Sequence, residues 1–182
     1  ASVVNTASSA TLTVSAASAG EGVNRSNLVA PGTTGSMTFS IGGTAEVKSK
    51  IEVSLTGNDV VLKYTATGVT NGEYAPVKWT LKKKGVTTAL VDNGSFKDLQ
   101  DGLAGLSATV VEANATYANA GEYTIEWAWA FEGGNDALDT FLGTIANKPA
   151  TTTDGTNTYT KAEGTSTAIS FNLSISVAQV KE

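Results

Sequence analysis

The chain contains neither cysteine nor histidine. Without thiols it has no disulfide, no thiol nucleophile and no cysteine zinc cluster. Without imidazole, HExxH zinc centres, Ser-His-Asp triads and histidine bases are excluded. Charge is sparse too: 16% of residues are charged, with a net charge of −5, which disfavours nucleic acid and anionic membranes as electrostatic partners. The one cationic run, Lys82-Lys83-Lys84 before Gly85, reads as a solvated hairpin end. No apolar run approaches the ~20 residues of a membrane span. The pairs Gly42-Gly43 and Gly133-Gly134 match no phosphate-loop spacing. Glu126, Glu132, Asp136 and Asp139 lie close enough in sequence to suggest a two-carboxylate hydrolase. Solvated loop and strand-edge carboxylates are the favoured account of them, and no enzyme is expected.

What is present is concentrated between Gly121 and Gly143. Tyr123, Ile125, Trp127, Trp129 and Phe131 alternate with Thr124, Glu126, Ala128 and Ala130, the period of a half-buried strand. At roughly 150–250 Å² buried per aromatic side chain, such a row needs a second layer over it. After Gly133-Gly134, with Asn135 as a cap, Ala137, Leu138, Phe141 and Leu142 fall at helical spacing up to Gly143.

Other strands are predicted at 11–15, 36–41, 50–55, 60–67, 76–83, 86–91, 109–111 and 169–177, the last being the cleanest alternation. Phe96, Leu99, Leu103 and Leu106 predict a short helix with Asp98 in its first turn, and 147–164 reads as polar loop. With 182 residues, the chain can bury a substantial core without staples. The fold class is all-β: a jelly-roll β-sandwich of about eight or nine strands with one or two short helices.

Oxygen ligands beside flexible glycines suit Ca²⁺, and Glu132, Asn135, Asp136, Asp139, Asp59, Asp92 and Asp154 are the candidate metal residues. The same residue types also build ordinary turns. Asn-x-Ser/Thr sequons at Asn24, Asn93, Asn114 and Asn172 are candidate glycosylation sites. Crowding by Thr, Ser, Asn, Gly and Ala suggests an extracellular protein whose signal peptide has been removed.

The run Asn24-Arg25-Ser26-Asn27-Leu28-Val29-Ala30-Pro31-Gly32, then Met37-Thr38-Phe39 and Ile51-Glu52-Val53-Ser54-Leu55, resembles the "NLxPG" turn and following strands of the TasA/camelysin family of secreted fibre subunits. Glu126 to Glu132, with Asp136, Asp139-Thr140 and Leu142-Gly143, is similar to that superfamily's W-x-W-x-F…D-T-x-L-G segment. Within it, the subunits of archaeal cannulae, which are extracellular tubules, are the nearest likeness. The resemblance implies a jelly roll whose N-terminal strand inserts into the next subunit, with calcium promoting assembly. It does not carry camelysin's proteolytic activity onto a chain without histidine.

On that reading a donor segment precedes a jelly-roll domain at 11–182. The donor comprises Ala1, Ser2, Val3, Val4, Asn5, Thr6, Ala7, Ser8, Ser9 and Ala10, with Val3 or Val4 as apolar anchor. The partners are further copies of the chain or related subunits, giving a head-to-tail polymer. The alternative is a monomeric secreted module that binds carbohydrate or mediates adhesion through exposed aromatics such as Tyr74, Tyr117 or Tyr159.

Overall fold

The computed structural model describes residues 9–15, 31–42, 44–130, 134–145, 151–154 and 157–180, with backbone only at 9–15, 143–145, 151–154 and 157. In chain order the strands are β1 (Ser9–Ser15), β2 (Thr34–Ile41), β3 (Ser49–Asn58), β4 (Leu62–Ala66), β5 (Val69–Tyr74), β6 (Val77–Lys83) and β7 (Val91–Gly94). Then come helix α1 (Phe96–Ala104), β8 (Ala108–Val111), β9 (Gly121–Trp129), helix α2 (Asp136–Ile145), β10 (Thr151–Asp154), β11 (Asn157–Lys161) and β12 (Ser170–Gln179). They form an all-β sandwich with short helices. All the pairings are antiparallel, in sheets ordered β1-β12-β3-β8, β2-β9-β6-β7 and β10-β11-β4-β5.

The first two sheets face each other because each long strand carries one apolar side. Along β9, Tyr123, Ile125, Trp127 and Trp129 are buried, and along β12 Phe171, Leu173 and Ile175 are. The ring of Phe171 meets Trp79 of β6 edge-on at 5.7 Å and Trp127 at 5.8 Å, which fixes how the two faces interdigitate. Gly57, at φ 140°, lets β3 approach β12 closely, since a Cβ there would stand 2.1 Å from the Ser170 carbonyl oxygen.

Helix α1 closes one end of the sandwich. Its capping box joins Ser95 and Asp98, while Leu99 and Leu103 are buried and Phe96 packs on Trp79 at 5.3 Å. Gln100 ties the helix to the sheet by donating to the Leu55 carbonyl at 3.0 Å.

The predicted strand at 60–67 starts later, at Leu62, and turns at Gly68 (φ 78°) into β5, whose polar sequence VTNGEY carries no alternation. The stretch 147–164 contains the hairpin β10–β11, polar on both faces, rather than loop alone. Conversely 86–91 is not a strand: Val86 and Leu90 are exposed and β7 begins only at Val91. Helix α2 runs two residues past Gly143.

Candidate functional site

The margin of the second sheet is the first feature of interest. β2 is an edge strand, with β9 on one side and no strand on the other among the described residues. Trp129 N–H donates to the Thr33 carbonyl at 2.9 Å, which sets the ladder's parity. In an antiparallel pair only alternate residues bond the partner, so the backbone groups of Thr34, Ser36, Thr38 and Ser40 aim away from β9. The strand TGSMTFSI contains no charge and no proline, the usual guards of an open edge. The edge strand of the facing sheet, β1, is equally free of them and bonds only to β12. Ser9 and Ala10 of the predicted donor segment open β1, opposite Ser176 and Ile175, so the expected boundary at 10/11 falls inside a strand. Residues 1–8 lie outside the described residues.

The three tryptophans differ in how their indole N–H groups are satisfied. Trp79 donates to Asp59 Oδ1 at 3.3 Å, and Trp129 donates to Asp139 Oδ1 at 2.9 Å. Trp127 Nε1 is buried without a partner among the described residues. Leaving such a donor unpaired costs about 1–3 kcal/mol. Trp127 pairs in register with Gly35 of β2, and its indole lies flat over that glycine: a Cβ there would stand 2.2 Å from Cζ2 and 2.5 Å from Nε1. The nitrogen edge of the ring therefore reaches the margin of the sheet. Sequence reasoning placed Trp127 in the core and did not single out Gly35. The available signal was a glycine in a strand whose cross-strand neighbour is a tryptophan.

Two of the candidate metal carboxylates are structural anchors. Asp139 is buried, and its Oδ1 also accepts from the Tyr74 hydroxyl at 2.8 Å, which fastens α2 to β5 and β9. Burial, then the Asp139 carboxylate, pushes the Tyr74 phenol well above its ordinary range; Asn135 and Asp136 act on it as well, so three of the predicted residues gather at one tyrosine. Asp59 is also buried and additionally accepts from Val60 N–H at 2.8 Å. Burial raises its carboxyl to about 6, against the pull of those hydrogen bonds and of Lys78. Asp92 is exposed, and Glu132 and the Asp154 side chain lie outside the described residues. Among the described residues no three acidic side chains converge as a metal site would require.

Of the sequons, Asn93 on β7 and Asn114 in a turn are exposed with left-handed backbone (φ 47° and 60°), and Asn172 is exposed on β12. Asn24 lies outside the described residues. Among the tyrosines expected to be exposed, Tyr117 is buried, and Tyr159 packs between Tyr64 (5.8 Å) and Phe141 (5.7 Å). An open cleft of about 580 Å³ lies over the outer face of the second sheet, lined by Ser36, Lys78, Thr80, Asn93 and Glu126 among others. No described helix is long and apolar enough to cross a membrane.

Compared with family models, with characterised proteins and with solved structures, the chain finds no match.

Proposed function

We propose that the protein is a structural subunit of an extracellular filament or tubule that polymerises head-to-tail, the N-terminal segment of one copy, residues 1–8 of the predicted donor 1–10 since Ser9 and Ala10 belong to β1, completing a sheet of the next. The observation that carries this reading is the pair of unguarded margins: β1 and β2 are edge strands of seven and eight residues without a single charge or proline. Monomeric β-proteins protect such edges with lysine, proline or bulges, because an open row of N–H and C=O groups is a template for another chain. A strand supplied in trans satisfies that row, and repeating a heterologous contact gives an open polymer. The leading segment suits the role, since residues 2–7 are β-capable and uncharged. The resemblance to the TasA/camelysin subunits and to cannula subunits points the same way.

Calcium belongs to this proposal as a promoter of assembly, with Asn135, Asp136 and Asp139 the candidate set that stands closest together, around Tyr74. Secretion belongs to it as the compartment.

Deleting residues 1–8 tests the reading. The full chain should form filaments or tubes by negative-stain electron microscopy on addition of Ca²⁺, and the truncated chain should stay dispersed under the same conditions. Polymers from the truncated chain would refute the donor role.

The polar cleft over Ser36, Thr80 and Asn93 favours a second reading, a monomeric module for a small hydroxylated ligand. It requires a single species in sedimentation with and without Ca²⁺.

A further inference from the structure

We infer that the receiving edge for the strand of a second copy is β2, and that the indole N–H of Trp127 is its polar anchor, donating to a backbone carbonyl of the incoming strand. The inference rests on the polymer reading above and adds to it where the donated strand lies and what holds it.

Three observations converge on this edge. The first is the orphan donor. Trp79 and Trp129 each have a buried carboxylate to bond, whereas Trp127, only 5% exposed, has no partner among the described residues. Buried polar groups are rarely left so, and an exception calls for a missing partner. The second is Gly35. Any larger residue would collide with the indole, so the glycine allows the ring's nitrogen edge to lie over the outermost strand instead of in the sheet's interior. The third is the backbone of β2, whose outward groups at Thr34, Ser36, Thr38 and Ser40 have no strand to bond among the described residues. A strand laid against β2 would pair those groups and bring carbonyl oxygens alongside Gly35.

The other margins fit less well. β7 and β5 carry Asp92 and Glu73, β8 and β10 have only four residues each, and β1, though as uncharged as β2, pairs with β12, none of whose described side chains is an unpaired buried donor. The occupant is the uncharged N-terminal segment of a second copy. It meets an uncharged edge, and no ion pair is left unmade or buried alone.

Two variants and one measurement on the native protein decide the matter. Trp127→Phe removes the N–H and keeps an aromatic ring. It relieves a buried unpaired donor but leaves a void beside Trp79 and Phe171, so it should melt somewhat below the wild-type temperature while staying folded by circular dichroism. Its critical concentration for assembly should rise roughly fivefold or more, the worth of one hydrogen bond. Thr38→Pro deletes an outward N–H that β9 does not use, a substitution edge strands tolerate, and should block assembly while the monomer stays folded by circular dichroism. In wild-type protein, the amides of Ser36, Thr38 and Ser40 should exchange quickly in the free chain and slowly in the polymer. If wild-type assembles, yet both variants assemble at its concentration and those amides stay fast in the polymer, the β2 edge is not the receiver, although the polymer reading survives. If wild-type does not assemble under any of these conditions, both fall.

Discussion

At the scale of single residues, the chain uses its few acidic side chains as partners for aromatic donors. Asp59 and Asp139 each hold one tryptophan, and Asp139 holds a tyrosine as well. The cost of burying Asp59 appears as pH dependence. Its carboxyl titrates near 6 in the fold against 3.8 unfolded, so between these values the folded chain keeps a proton that the unfolded chain has lost. The contribution is favourable below the unfolded value and is withdrawn as pH rises through 6, by on the order of 3 kcal/mol. Asp59→Asn should therefore flatten the fall in melting temperature between pH 4 and pH 6.5, and should be more stable than wild-type at neutral pH. Thermal melts across that range check it, and an unchanged slope would mean the carboxyl is not the titrating group. The sequence showed Asp59 and Asp139 only as oxygen-bearing turn residues. Nothing in spacing could reveal that each faces an indole, because Asp59 lies in the link between β3 and β4 and Trp79 on β6, and the two meet only through the fold.

At the scale of elements, the strands with one apolar side were legible and those without were not. β9, β12, β3 and β6 read directly from alternation, because each must bury one face. Helix α1 was legible from Phe96, Leu99 and Leu103, and Ser95 is the start signal that fixes its register. The capping box is reciprocal: Ser95 N–H donates to Asp98 Oδ2 at 2.8 Å, and Asp98 N–H donates to Ser95 Oγ at 3.1 Å. Those bonds also hold the exposed Asp98 carboxyl below the usual range. Ser95→Ala should cost ~1 kcal/mol by chemical denaturation, at unchanged dependence on denaturant. The hairpins β4–β5 and β10–β11 were hidden or only half seen because much of their sequence is polar on both faces; turn geometry and pairing specify them more than burial does. Val86 and Leu90 misled in the opposite direction, being large and apolar yet exposed. The ion pairs Lys82–Glu126 (2.7 Å) and Lys84–Glu122 (3.5 Å) decorate the outer face between β6 and β9 and contribute little to stability at such exposure.

At the scale of the whole molecule, what stands out is the contrast between an interior of buried apolar and aromatic side chains and margins left without defence. The interior is closed by an aromatic group of Trp79, Trp127, Phe96 and Phe171. The edges formed by β1 and β2 carry neither charge nor proline, and the one unpaired buried indole donor lies at the second of them. The sequence made the two-layer sandwich and the uncharged leading segment legible. It did not show which edge would be left open, since that depends on strand order, and strand order depends on long-range pairing. Binding of a synthetic peptide with the sequence of residues 1–8 to the protein lacking those residues measures the central claim most directly. Saturable one-to-one binding by calorimetry, with the same peptide suppressing polymerisation of the full chain, is the predicted result. A peptide that neither binds the truncated protein nor slows assembly would contradict the account.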